Sequence, residues 1–308
     1  MEKLEKAIEQ IKKTLPGMTL LEQEPMSRHS SFRIGGPARA LAVPGDVTSV
    51  ARICSILKDH ELMPLPVGNC TNILFPDEGM QEVLLLSTEK LQNLYLLPDG
   101  AIYAEAGVSL SRLASFAQQN GLQGLEFASG IPGSVGGGCF INAGAYGGEM
   151  KDAVESVVCL YCPDQGLYEL NREQCAFSYR KSYFNTHGGY VILSAVFRLQ
   201  PGDPEEIAAK MKDLNGRRKD KQPLEYPSAG STFKRPEGYF AGKLIEDAGC
   251  KGLTVGGAQV SEKHAGFVIN IGDATAKDVL DLIHEVQRRV LEQSGVMLEP
   301  EIKMTGEP

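Results

Sequence analysis

Between Gly130 and Gly148 the chain places eight glycines in nineteen residues, reading Gly-Ile-Pro-Gly-Ser-Val-Gly-Gly-Gly-Cys-Phe-Ile-Asn-Ala-Gly-Ala-Tyr-Gly-Gly. Ordering so many glycines is costly in entropy, so the segment must serve a conformation that other residues cannot adopt. Glycine permits φ > 0 and lets a ligand approach the main chain, and successive N–H groups can then form an anion-binding nest. This favours a cradle for the phosphates of a nucleotide cofactor, with a tight multi-turn packing loop as the competing reading. The spacing matches neither the GxGxxG fingerprint nor the Walker A loop, which argues against a classical Rossmann or P-loop site.

The 308-residue length predicts two or three packed units. A net charge of −8 argues against nucleic acid as the main partner, so an anionic ligand needs local basic residues and backbone N–H groups. The N-terminal residues are charged from Glu2 onward with helically spaced apolar side chains, unlike a signal peptide or membrane anchor. No apolar run approaches the roughly 20 residues of a membrane helix. Seven cysteines without an export signal read as reduced thiols of a cytoplasmic protein. Cys159-Leu-Tyr-Cys162 is a CxxC in a strand-like run, and buried strand cysteines are favoured there over a redox or metal pair.

Periodicity predicts strands at 38–43, 64–67, 83–87, 101–105, 154–160 and 190–199, with helices at 47–57, 110–119 and 204–221. Beyond two prolines at 223 and 227 come a helix at 240–248, short strands around 253–260 and 266–270, and a long closing helix. Thr275 and Asp278 form its capping box, and Val279, Leu282, Ile283, Val286 and Val290 its core face.

Three further segments carry candidate chemistry. In Phe177-Ser-Tyr-Arg-Lys-Ser-Tyr-Phe184, Arg180 has the fork geometry to bind a carboxylate or phosphate, or it stacks on tyrosine at the surface. In Pro227-Ser-Ala-Gly-Ser-Thr-Phe-Lys-Arg-Pro236, small neighbours expose Ser231 beside Lys234 and Arg235; without a Gly-x-Ser-x-Gly elbow, Ser231 reads as a proton donor or a turn serine rather than a hydrolase nucleophile. In Leu298-Glu-Pro-Glu-Ile-Lys303, Glu299 and Glu301 would share one face of a strand, as site residues or as solvated carboxylates. His264 stands between a site residue and a structural histidine.

Taken in order, Ser31-Phe-Arg-Ile-Gly-Gly-Pro-Ala38, Gly-Ile-Pro-Gly-Ser-Val-Gly-Gly, Asn-Ala-Gly-Ala-Tyr-Gly, Tyr-Arg-Lys-Ser-Tyr-Phe, Gly-Ser-Thr-Phe-Lys, Ala-Gly-Lys-Leu-Ile-Glu and Leu-Glu-Pro-Glu-Ile resemble the MurB family, the UDP-N-acetylenolpyruvoylglucosamine reductases of peptidoglycan synthesis. The resemblance covers nearly the whole chain. It implies an α+β, three-domain flavoenzyme with a vanillyl-alcohol-oxidase/PCMH-type FAD-binding fold. Residues 1–86 and 87–203 would hold FAD, 204–296 would bind substrate, and 297–308 would pack back on 87–203. The implied reaction reduces UDP-N-acetylglucosamine enolpyruvate to UDP-N-acetylmuramate, with FAD as cofactor and NADPH as hydride donor.

By the same resemblance Arg180 polarises the enolpyruvyl carboxylate, Glu301 is its acidic partner, and Ser231 protonates the carbanion. FAD would be lined by Val67, Gly68, Asn69, Thr71, Asn72, Gly107, Gly130, Ile131, Pro132, Gly133, Ser134, Gly136, Gly137, Asn142, Gly144 and Ala145, with Arg218 on the flavin side. Tyr179, Lys221, Lys234 and Arg235 would face the substrate diphosphate. Arg235 stands where many members have asparagine, so its guanidinium would have to replace the hydrogen bond of that amide. The short span from Asn185 to Tyr190 leaves no room for a tyrosine-bearing flap, as in the type II form. Two other readings stand beside this one: an oxygen-using oxidase of the same flavin fold, which gives the Arg180, Ser231 and Glu301 set no purpose, and a non-enzymatic nucleotide-binding module.

Overall fold

The computed structural model describes residues 2–305. They form two compact units: one of residues up to 22, 39–69 and 81–216, the other of 23–38, 70–80 and 217 onward.

In the first unit, helices Glu2–Thr14 and Val47–Asp59 bury Leu4, Ala7, Ile8 and Ile11, and Val50, Ile53, Ile56 and Leu57. These are the stripes that a 3.6-residue period dictates. Asp46 caps the second helix, accepting the Ser49 N–H at 2.7 Å. A four-stranded sheet runs in the order Thr19–Pro25, Pro37–Val43, Met80–Ser87, Leu65–Val67. An antiparallel five-stranded sheet runs Gly166–Asn171, Val154–Tyr161, Tyr190–Phe197, Ile102–Glu105, Leu94–Leu96. Its inner strands are the Val- and Ile-rich runs read from the sequence; its edge strand Gly166–Asn171 buries none of its residues and has no apolar alternation to betray it.

In the second unit, an antiparallel sheet of Thr254–Val255, Ala258–Val260 and Val268–Asn270 packs with helix Ala276–Ser294. Thr275 and Asp278 make the expected capping box, and Val279, Leu282, Ile283, Val286 and Val290 are buried. Phe32, Ile34 and Leu74 enter this core beside Leu298 and Ile302, which is why two N-terminal segments belong to the unit. Ser31 Oγ donates to Ser228 O at 2.7 Å and Asn270 Nδ2 to Phe32 O at 3.2 Å, so the Ser-Phe-Arg-Ile-Gly-Gly motif is tied to this unit as well. The closing strand Lys303–Met304 pairs in parallel with Ile73–Leu74, not with residues 87–203 as expected, because Ile302 and Leu74 share one apolar cluster. No helix among the described residues is long and apolar enough to cross a membrane.

Asp77 joins a distant helix to this framework. Its carboxylate accepts the N–H groups of Ala276 at 2.7 Å and Lys277 at 3.0 Å, the orphan donors at the start of Ala276–Ser294. Asp77→Ala is expected to cost about 1–2 kcal/mol. A urea-unfolding midpoint equal to that of the parent would contradict this.

Candidate active site

The glycine stretch is not a continuous nest. Residues Val135–Ile141 fold into a short helix capped by Ser134, whose Oγ accepts the Gly137 N–H at 3.3 Å. Val135 N–H donates to Val108 O and Gly136 N–H to Ala106 O, both at 2.8 Å. Gly144–Ala145 and Gly148–Glu149 then pair as a small antiparallel hairpin. Helix and hairpin take up N–H groups that a nest would have offered to an anion, because buried backbone donors must find acceptors. The helix and hairpin thus leave only part of the segment's N–H groups for a ligand, those of Gly130, Gly133 and Ser134 ahead of the helix among the candidates.

That surface meets the loop following Leu65–Val67. Asn69 Nδ2 donates to Pro132 O at 3.2 Å, and a Cβ added to Gly68 would lie 2.6 Å from Ser134 Oγ. Val67 is buried; Gly130, Ile131 and Gly133 are half-buried. Gly107 answers to the protein itself: its N–H donates to Leu91 O at 3.0 Å, and a Cβ there would lie 2.2 Å from Thr88 O. Packing against residues 88–91 accounts for this glycine, so its role as a cofactor-lining position does not follow from its lack of a side chain.

Arg180 sits in a two-residue hairpin. Ser178 and Lys181 exchange backbone hydrogen bonds, each at 3.0 Å, leaving Tyr179 and Arg180 at the tip. Arg180 has φ +55°, the left-handed region that a non-glycine residue occupies at a cost, a strain that clusters at functional sites. Its guanidinium donates to Gly144 O at 3.2 Å and lies 5.0 Å from the centre of the exposed Tyr179 ring. The stacking on tyrosine read from the sequence is present, and the guanidinium also reaches the glycine segment.

The second unit brings together Asn72, Ser231, Lys234 and Glu301. Glu301 N–H donates to Thr232 O at 2.8 Å, Lys234 N–H to Glu299 O at 2.9 Å, and Asn72 Nδ2 to Glu301 O at 3.3 Å. Ser231 is exposed, while its neighbour Thr232 is fully buried and accepts the Val268 N–H at 2.8 Å. Lys234 forms an ion pair with Glu299, the first of the two carboxylates near the chain end. Thr71 is half-buried in the same unit. Arg218 and Lys221 close helix Pro204–Lys221, where cations suit the helix C-terminus, and Arg218 Nε donates to Gln222 Oε1 at 2.8 Å. Arg235 lies 4.0 Å over the exposed Phe240 ring and donates to Tyr239 O at 3.2 Å.

Cys159 is buried with its thiol on Tyr168 O, and burial pushes it up to about 12; Cys162 instead faces Cys54, at 3.6 Å between sulfurs. The two cysteines of the CxxC thus have separate neighbours.

His264 is half-buried. Its Nδ1 accepts the Gly266 N–H at 3.0 Å, and Gly266 O accepts the Thr232 N–H at 2.8 Å, one residue from Ser231. Burial lowers its pKa from the ordinary histidine value. The unfolded chain, titrating near pH ~6.5, therefore binds a proton more readily than the folded one. Stability linked to His264 is full above that pH and is lost as pH falls through it. Lowering pH from about 7 to about 5 should depress the unfolding midpoint more in the parent than in His264→Phe. Equal depression would remove this link.

With this geometry in view, the chain can be set beside known proteins. A family described as UDP-N-acetylenolpyruvoylglucosamine reductase, C-terminal domain, matches residues 222–305, and one described as FAD binding domain matches 38–166. The chain is 50% identical over 287 residues to the UDP-N-acetylenolpyruvoylglucosamine reductase of Lachnoclostridium phytofermentans, covering 92% of each chain. It is 49% identical over 300 residues to that of Caldanaerobacter subterraneus subsp. tengcongensis, covering 97% of this chain and 98% of the other. The crystal structure of the Thermus caldophilus reductase matches with a TM-score of 0.80 at 34% identity, covering 93% of this chain and 99% of that one.

Proposed function

The chain belongs to the UDP-N-acetylenolpyruvoylglucosamine reductase family, and from that membership we propose that Arg180, Ser231 and Glu301 carry its chemistry. It is a flavoprotein oxidoreductase that uses FAD and NADPH to reduce UDP-N-acetylglucosamine enolpyruvate to UDP-N-acetylmuramate in peptidoglycan synthesis. The reduction takes place on a nucleotide sugar, and with seven free cysteines this supports a cytoplasmic location.

The residues present fit an FAD. Segment 130–145 carries no acidic side chain, Gly68 and Ser134 approach more closely than a β-carbon would allow, and the Arg180 guanidinium reaches the same segment. Val67, Gly68, Asn69, Gly130 to Ser134, Gly136, Gly137, Gly144 and Ala145 would hold it, and the family resemblance assigns Thr71, Asn72 and Arg218 to it as well. In this reading residues 1–86 and 87–203 serve the cofactor and 204–296 the substrate. Bound FAD supplies the hydride, received from NADPH, to the terminal carbon of the enolpyruvyl group.

An isolated vinyl ether accepts hydride poorly, so charge developing toward its carboxylate must be stabilised. The Arg180 fork can bind that carboxylate in two hydrogen bonds, and a side chain already placed by its hairpin needs little reorganisation to do so. Family resemblance gives Glu301, fixed through its own backbone N–H and C=O, as the acidic partner in this step. The Ser231 hydroxyl delivers a proton to the carbanion carbon; as a weak acid it must be held close in a water-poor site. Tyr179, Lys221, Lys234 and Arg235 face the diphosphate; Lys234 would exchange Glu299 for a phosphate, and Arg235 would leave or share Phe240. The short connection from helix Tyr183–Thr186 to strand Tyr190–Phe197 supports the flapless, type II form.

The observation that carries this reading is Arg180, held in strained backbone and bonded to the glycine segment. The purified protein should be yellow, bleach with NADPH in the absence of oxygen, and regain colour with the enolpyruvyl substrate. Bleaching by an alcohol or sugar would instead favour an oxidase. Ser231→Ala should retain NADPH-driven bleaching and slow recolouring by roughly 100-fold or more; equal losses in both half-reactions would refute the proton-donor role.

A further inference from the structure

We propose that Asn142 is a positioning residue for Arg180, its carboxamide fixing the arginine hairpin against the glycine segment. This rests on the role given to Arg180 above.

Asn142 ends helix Val135–Ile141 with φ 46° and ψ 59°, and it is 0% exposed. Its Nδ2 donates to Ser178 O at 2.9 Å and to Glu149 Oε2 at 2.8 Å, while its Oδ1 accepts the Lys151 N–H at 3.0 Å. A carboxamide has two N–H donors, and both are spent on the protein. The orientation is set by the partners, since Lys151 N–H can face only an acceptor and Ser178 O only a donor. A side chain so occupied has no donor left for a cofactor and could meet one only as an acceptor, through the second lone pair of Oδ1.

The bond to Ser178 O gives the arrangement its meaning. That same carbonyl accepts the Lys181 N–H that closes the hairpin carrying Arg180 at its tip. From the tip, the guanidinium returns to Gly144 O, two residues beyond Asn142. Residues 142–144 and 178–180 are therefore joined twice, by the Asn142 side chain at the hairpin base and by the Arg180 side chain at its tip. Asn185 Nδ2 donates to Arg180 O at 3.1 Å and Ser182 Oγ to Phe140 O at 2.6 Å, bracing the same loop from its other side. A buried cap alone would require neither the Ser178 bond nor the return contact.

The test uses the FAD-loaded enzyme with two substitutions. Asn142→Asp tolerates left-handed backbone and keeps the volume but presents an acceptor to Ser178 O and Glu149; Asn142→Gly keeps the backbone and removes the side chain. In both, recolouring by substrate should slow by about tenfold or more, a larger factor than any change in the rate of bleaching by NADPH. Combined with Arg180→Ala, either should recolour no more slowly than Arg180→Ala alone, because a residue acting through another adds nothing once that other is gone. The proposal is overturned if both single variants recolour at the parental rate, if their losses multiply with that of Arg180→Ala, or if both lose FAD. Should Arg180→Ala itself recolour at the parental rate, the role of Arg180 fails, and that of Asn142 falls with it.

Discussion

The glycine segment keeps its shape because its backbone donors are taken by carbonyls that are themselves fixed. Val135 and Gly136 donate to Val108 and Ala106, just beyond strand Ile102–Glu105 of the five-stranded sheet. Each bond holds a residue that would otherwise spread over a wide conformational range, and the sheet supplies the rigidity that the segment lacks. The buried cap at Asn142 ends the helix, and the hairpin at 144–149 follows directly. Once these bonds are made, Gly144 O stands where the Arg180 guanidinium can reach it. The placement of the arginine thus depends on a chain of main-chain hydrogen bonds that starts in the sheet.

What the sequence made legible follows from which signals survive local context. Helices Leu110–Gln119 and Ala276–Ser294 announce themselves through period and cap, and the inner strands through Val and Ile runs. Helix Val135–Ile141 does not, since three successive glycines carry the poorest helix propensity after proline. Its stability comes from the Ser134 cap and from carbonyls far away in sequence. Strand Gly166–Asn171 escaped for the opposite reason: lying exposed at a sheet edge, it has no apolar pattern to show.

The same distinction applies to the candidate site. Residue types suited to chemistry, an arginine between aromatics and a serine among small residues, could be picked out along the chain. The partners that fix them could not. Lys234 reads as positive charge beside Ser231, yet Glu299 pairs with it from a segment near the C-terminus. Ser-Phe-Arg-Ile-Gly-Gly reads as part of an N-terminal unit, yet Phe32 and Ile34 belong to the core around Ala276–Ser294. Such pairings are set by long-range packing, which no window of sequence contains.

The second unit uses one device repeatedly around its candidate chemistry. Thr232 donates to Gly266 O, accepts Glu301 N–H on its own carbonyl, and accepts Val268 N–H on its hydroxyl. All three polar groups of a fully buried residue are thereby satisfied, and each leads to a different segment. Glu301 is a member of that network through its N–H, and Ser231 is joined to it by the peptide bond to Thr232. Rigid supports let a weak acid such as a serine hydroxyl act, because its proton can be transferred only from a position already close to the carbon that receives it. In the role proposed for Ser231 that proximity is decisive, and the hydrogen bonds of the buried threonine beside it limit how far its backbone can move.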